Sequence, residues 1–401
     1  MRSVTKRLGI LVVAMAAAIP ALVGAPPAAT FDDFGPGCGD LRNASIAFST
    51  DWEWDRTIDA GPQAGLTMRQ AVEMGRDDWI GDEVRHWKGY WLLGGGGRTF
   101  TMHWNGFGMS SDTFARTLCA AGTIDFNPAR FNDFRLNRVN LRGLATHEWG
   151  HVWGLGHSGR YDSHGGGPPS MSTCWGYPGN SPPQMTAQAV IAQDDSAALQ
   201  FQTNKVRGGY GAATANPSFE EGTRWWGFQN VSSRSIRWGG QDESVRYLRF
   251  SGPSSSTAIY STTRISDITA PFSDNSVSWT VVKGRANYKK WNSSSYGHVK
   301  VVQRIRAREY PSAGYRDLTC QNWTDSNDAA TIGPWVSMTR YCYPTTSWGY
   351  CTTDTYSVPA NIGGTTTESI DVRIVVYNRM KFGGHYLGVD VDRVRALVKL
   401  P

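Results

Sequence analysis

A chain of 401 residues is long enough for two or three domains, each with its own core. Its formal charge of +6 is mild and dispersed, so nothing in it asks for a nucleic-acid partner. Beyond the N-terminus no apolar run approaches the roughly 20 residues that a membrane-spanning helix needs, which excludes a membrane span.

The first predicted element is a targeting segment. Arg2, Lys6 and Arg7 precede an apolar stretch from Leu8 to Val23, with small residues and prolines after it. That is the layout of a secretory signal peptide, assigned to residues 1–29 with cleavage within Ala25–Thr30. Export predicts a secreted, extracellular protein and makes the six cysteines candidates for disulfides. Cys38, Cys119 and Cys174 lie in the first half, and Cys320, Cys342 and Cys351 in the second. Either one bridge crosses between the halves or each half keeps a free thiol, and spacing does not choose among the connectivities.

Next, "IAFSTDWEW" from Ile46 predicts a strand. "LTMRQAVEMGRDDWI", Leu66 to Ile80, places apolar residues at helical spacing and predicts a helix backing a sheet. "WKGYWLL" and "FTMHW" flank the turn "GGGGR" and read as a hairpin. The run Leu141-Arg142-Gly143-Leu144-Ala145 predicts another helix, which leads into "THEWGHVWGLGH", Thr146 to His157. His147 and His151 are four apart, so their imidazoles share one helix face about a turn apart and can grip one metal ion. Gly154 can end the helix and reverse the chain, bringing His157 back as a third ligand. Three nitrogens around zinc leave one position open, as catalytic sites do. Glu148 is about 100° around the helix from His147, beside the metal without ligating it, and is placed to act as general base on a zinc-bound water.

The pattern H-E-x-x-H-x-x-G-x-x-H resembles the zinc-binding signature of the metzincin metallopeptidases, and within them the matrixin branch. The resemblance implies zinc ligation by His147, His151 and His157, and the general-base role for Glu148. It also implies a tight turn under the metal, for which "PPSMST" supplies Met171 fourteen residues after His157. "GTIDFN" from Gly122 resembles the strand before the matrixin zinc helix, and "AQDDSAALQ" from Ala192 their last helix. Matrixin order adds an edge strand at Thr113–Cys119, where a peptide substrate joins the sheet, and "STCWGYPGNSPPQ" walls a specificity pocket. The tyrosine that some metzincins carry two residues after the methionine is Thr173 here, so no such role is assigned. Asp162 and His164 are read as neighbours of the site rather than ligands, and His86 and His103 as ordinary packed or surface histidines. Pro36-Gly37-Cys38-Gly39 has the outline of the matrixin latency segment without its arginine, leaving Cys38 either a disulfide partner or a latency thiol.

Near Lys205 the texture changes. Residues 205–215 read as a linker between a zinc protease domain at 30–204 and a third region at 216–401. In that third region "SVRYLRFSG", "SVSWTVVKG", "HVKVVQRIRA", "SIDVRIVVYN" and "LGVDVDRVRALVKL" alternate in period two, predicting an all-β sandwich. "KVVQRIRARE" from Lys300 reads as a strand with one solvated, basic face. The opening Asn-Pro-x-Phe-Glu and the closing Val-Asp-x-Val resemble the end strands of jelly-roll carbohydrate-binding modules. That resemblance implies a polysaccharide or cell-wall ligand. Glu220, Asp390 and Asp392 are candidates for a structural Ca2+, and Trp225, Trp226, Trp291, Trp323 and Trp348 for sugar platforms.

The expected fold is an α+β metzincin-like domain, a twisted sheet with active-site and backing helices, followed by a jelly-roll β-sandwich. The expected function is a secreted zinc endopeptidase acting on protein or peptide substrates and localised by the sandwich. The alternatives are a glycan- or surface-binding protein with a catalytically weak protease-like domain, and metal-dependent hydrolysis of a non-peptide amide.

Overall fold

The computed structural model describes residues 45–79, 98–110, 113–153, 155, 196–197, 210–220, 222–241, 244–266, 280–309, 331–367 and 369–399. The signal segment, Cys38, His86, Gly154, His157, Asp162, His164, Met171, Thr173, Cys174, Cys320 and Trp323 lie outside these residues. So do the "WKGYWLL" arm of the expected hairpin, the "STCWGYPGNSPPQ" stretch and most of Ala192–Gln200, of which Ser196 and Ala197 are helical and buried.

In the N-terminal unit β1 (Ser45–Phe48), β2 (Thr99–Trp104), β3 (Ala115–Leu118) and β4 (Thr123–Phe126) form a four-stranded sheet in the order β1-β2-β4-β3. β1–β2 and β2–β4 are parallel, and β3 runs antiparallel to β4 at the sheet edge. The helices are α1 (Met68–Trp79), the short α2 (Phe131–Arg135) and α3 (Leu141–Val152). Helix α1 buries Met68, Ala71, Val72, Gly75 and Trp79, the spacing its sequence announced. It packs on α3 at close range: a Cβ added to Gly75 would lie 2.5 Å from the Arg142 carbonyl oxygen and 2.6 Å from Ala145 Cβ. The Trp79 indole donates to the Thr146 carbonyl oxygen at 2.6 Å, and Arg142 forks onto Asp78, tying the two helices together.

The C-terminal unit is a jelly-roll-like β-sandwich of two antiparallel sheets. Its strands begin with β5 (Gly211–Ala212), β6 (Gly227–Gln229), β7 (Ser233–Trp238), β8 (Arg246–Ser251), β9 (Ala258–Ser266), β10 (Thr280–Lys290) and β11 (Tyr296–Glu309). They continue with β12 (Thr331–Ile332), β13 (Val336–Cys342), β14 (Gly349–Thr352), β15 (Tyr356–Val358), β16 (Asn361–Ile362) and β17 (Thr365–Thr366). β18 (Ser369–Phe382), β19 (His385–Tyr386) and β20 (Val389–Lys399) complete the set. One sheet has the order β14-β10-β20-β8-β7, the other β12-β11-β18-β9-β6. Val299, Val301, Ile305, Val372, Ile374 and Val376 of the second sheet, and Leu248, Phe250, Val282, Val391 and Val398 of the first, are buried in the core. Burying each such side chain contributes roughly 1.5–3 kcal/mol, which is what drives the alternating strands together.

Two expectations change. Residues 205–215 are not all linker: Gly211 and Ala212 pair with β20, Ala213 and Ala215 are buried, and Thr214 Oγ1 accepts from the Ala396 amide at 2.8 Å. Glycine and alanine read as linker composition, yet small residues are also what a tightly covered terminal strand requires. Second, one cysteine pairing is now assigned: Cys342 and Cys351 are bridged between β13 and β14. Cys119 is disulfide-bonded too, to a partner outside the described residues. No described helix is long and apolar enough to cross a membrane.

Candidate functional site

Helix α3 starts where the Asn140 side chain accepts from the Gly143 amide at 3.0 Å, an N-cap that fixes its first turn. Almost every residue from Leu141 to Val152 is buried, so α3 is a core helix held on several sides rather than an amphipathic surface helix. That rigidity aims its polar side chains. The imidazoles of His147 and His151 face one another with ring centroids 4.8 Å apart and planes at 89°. His151 Nδ1 lies 2.8 Å from the Leu155 carbonyl oxygen. A neutral His151 that donates there carries its lone pair on Nε2, the tautomer a metal ligand needs.

Glu148 is buried on the adjoining flank of α3. The Thr117 hydroxyl on β3 donates to its Oε2 at 2.7 Å and lies 3.0 Å from its backbone carbonyl oxygen. Burial pushes the carboxyl up to about 7, against the opposing pull of the Thr117 hydrogen bond. A carboxylate poised near neutrality suits a group that takes and gives back a proton.

The two imidazoles fit zinc by donor chemistry, spacing and tautomer. Among the described residues no group of three His, Cys, Asp or Glu could hold a metal; the expected third ligand, His157, lies outside them. His103 stands on β2 near Asp51, whose carboxyl is held below its ordinary value chiefly by the hydrogen bond from the Ser49 hydroxyl. Thr117 escaped the sequence reading because its contact spans 31 residues and crosses from strand to helix.

In the sandwich, Glu220 and Asp392 are brought together and Asp390 is not. The Ser244 hydroxyl lies 3.0 Å from Glu220 Oε1 and 3.1 Å from Asp392 Oδ1. Glu220 Oε1 also accepts from the amides of Val245 and Arg246, while its buried Oε2 has no hydrogen-bond partner. Burial pushes Asp392 up to about 7, although the amides of Gln241 and Arg393 and the Ser244 hydroxyl bond to it. Gln241 Oε1 is a second buried oxygen without a partner. An orphaned carboxylate oxygen in such a setting fits a hard cation. Asp390 is corrected out of that set: both its oxygens accept from Arg249, at 2.6 and 2.9 Å.

Of the candidate tryptophans, Trp226 is a core residue whose indole donates to the Asn216 carbonyl oxygen. Trp291 is exposed, and Trp348 packs edge-on against Tyr247. Trp225 lines an open depression of about 460 Å3 that also includes Tyr260, Thr262 and Arg373.

No family model matches the chain, and no curated relative does. Solved structures do. The C-terminal family 22 carbohydrate binding module of Clostridium thermocellum Xyn10B is 10% identical, with 46% of this chain and 89% of that one covered at a TM-score of 0.24. The CBM22-2 xylan-binding domain of Paenibacillus barcinonensis Xyn10C is 13% identical, covering 46% and 97% at 0.26. The enzymatically active domain of Bacteriophage CBA120 tailspike protein 4 is 12% identical over 50% of this chain, which spans only 22% of the tailspike chain, at 0.29. Likenesses this weak carry no argument about ligand or activity, and the sandwich assignment rests on the strand pairing above.

Proposed function

We propose that the chain is a secreted zinc-dependent endopeptidase with a glycan-binding sandwich that localises it. The observation that carries this reading is the trio on α3: two facing imidazoles and, next to the first, a buried carboxyl that accepts from the Thr117 hydroxyl. His147 and His151 would hold the metal, with His157 the third ligand and Met171 the turn methionine that the motif's resemblance implies. Zinc bound there supplies a Lewis acid toward the scissile carbonyl and an acidified water. Glu148 takes the proton on its carboxylate and passes it to the leaving amine, and Thr117 fixes the carboxylate's orientation. The edge strand β3, paired on one side with β4, offers its other edge to an extended peptide. In the sandwich, Glu220, Asp392 and Gln241 are the residues that would hold a structural Ca2+.

A second reading is a glycan- or surface-binding protein whose protease-like unit turns over weakly. It is favoured by the aromatic-lined depressions on the sandwich. One experiment separates the two. The purified full chain should contain about one tightly held zinc per molecule, cleave denatured casein, and stop when chelated. Glu148→Ala should keep the zinc and lose turnover, because it removes the base and no ligand. Cleavage that survives metal removal, or persists at the wild-type rate in Glu148→Ala, would overturn the mechanism. A zinc-loaded wild type that cleaves nothing selects the second reading.

A further inference from the structure

The outward face of the second sheet carries a second set of features. Strand alternation turns Val299, Val301, Gln303, Ile305 and Ala307 of β11 into the core and leaves Lys300, Arg304 and Arg306 on the other side. Register then builds rows across three strands: Arg304 beside Arg373 beside Thr262, and Val302 beside Val375 beside Tyr260. On this face lie two depressions of about 420 and 460 Å3, which share Tyr260 and Arg373. The first is also lined by Arg304, Tyr377 and Phe228, the second by Trp225.

The floor is built for flat contacts. Tyr260 lies across Gly227 of the neighbouring β6, where an added Cβ would come within 2.3 Å of its ring. Any side chain at 227 would lift the tyrosine off the strand. Trp225 is held at φ 67°, a costly backbone region for a bulky residue.

Charge on this face is unbalanced. Asp371 is already shared by Arg306 and Arg308, at 2.8 and 2.9 Å. Among the described residues Arg304 hydrogen-bonds the Tyr377 hydroxyl alone, at 3.2 Å, and its buried Nε has no partner there. Arg373 donates to Thr262 Oγ1 at 2.7 Å and stacks on Tyr260 and Trp335, at 5.1 and 4.8 Å from the ring centroids. No described carboxylate forms an ion pair with Arg304 or Arg373. Burial above all, with Arg306 and Arg304 nearby, holds the Arg373 guanidinium below its ordinary value, against the weaker opposing pull of Tyr260 and Asp371.

We propose that this groove binds an anionic polysaccharide, Arg304 and Arg373 pairing its carboxylate or sulfate groups while Tyr260 and Tyr377 stack on sugar faces. Guanidinium forks match such oxyanions, and flat rings match the apolar faces of sugars. Of the described cations on this face, Arg304 and Arg373 line the depressions while Arg306 and Arg308 are committed to Asp371, and two pocketed cations between aromatic rings favour a substituted sugar chain over a nucleic acid. The proposal rests on the reading of the sandwich as glycan-binding and adds the class of glycan.

The test is titration calorimetry on the full chain with polygalacturonate, dextran sulfate, neutral xylan and duplex DNA. At least one acidic polymer should bind about tenfold or more tighter than xylan and weaken as salt rises; polygalacturonate and dextran sulfate tell carboxylate from sulfate. Arg304→Gln with Arg373→Gln should cost about tenfold in that affinity, and the double lysine variant should restore part of it. Because Arg373 also anchors Thr262, a second arm alters the ligand instead: methyl-esterified polygalacturonate and unsulfated dextran keep the sugar, lose the charge and should bind correspondingly worse. Equal affinity for acidic and neutral chains, no loss in the double glutamine variant, or tighter binding of DNA would overturn the anionic assignment. Failure to bind any glycan would overturn the glycan reading itself.

Discussion

Asp392 illustrates what a single buried carboxyl does to a β-sandwich. Burial lifts its pKa from 3.8 to about 7, so in metal-free protein the folded state prefers the protonated form. Its contribution to stability is therefore full below about pH 4 and lost as pH rises through about 7. Thermal unfolding of EDTA-treated protein should show a midpoint that falls between about pH 4 and 7, more steeply than in Asp392→Asn. The difference between the two proteins isolates this group from Glu148, which is also raised to about 7. Calcium should restore the wild-type midpoint at the alkaline end, and a midpoint indifferent to calcium would remove the cation from this site. Such residues were only half legible. Glu220 and Asp392 were legible as acids in the segments that resemble jelly-roll end strands, whereas Ser244, which joins them, is an unremarkable serine in a loop.

At the scale of elements, the packing of α1 on α3 depends on one missing side chain. Gly75→Ala would drive a methyl into the Arg142 carbonyl and Ala145, with backbone on one side and a methyl on the other. The expected cost is about 1–3 kcal/mol in denaturant unfolding, with zinc retained at low temperature. A variant as stable as wild type would mean that the helices sit further apart. Both helices were readable because their apolar periodicity and the histidine spacing are local properties. The strands of the sandwich were readable for the same reason, through period-two alternation in "HVKVVQRIRA" and "SIDVRIVVYN". The site residues that escaped are those assembled by register. Thr117 meets Glu148 across a strand-to-helix contact, and Tyr260, Arg373 and Arg304 become neighbours only once β9, β18 and β11 are aligned. One sign was present: Lys300, Arg304 and Arg306 share parity on β11, which marked a basic face without saying what would sit beside it.

Across the whole molecule, chemistry and attachment are assigned to different parts of the chain. A protein ending just before Tyr210 should cleave small peptides at about the full-length rate, since no group proposed for catalysis lies beyond that point, and should lose retention on insoluble acidic polysaccharide, since tethering raises local concentration. Peptidase assays and pull-down on that material measure the two separately; a truncated protein that unfolds would make the sandwich a structural support. The cut belongs before β5 because Gly211 and Ala212 pair with β20, so a break at the composition boundary would strip a strand from the sandwich. That same pairing puts the strand that opens the sandwich beside the one that closes it. A unit whose entrance and exit adjoin can be spliced into a surface loop of another protein without prising the loop apart. In architectural terms it is a cassette.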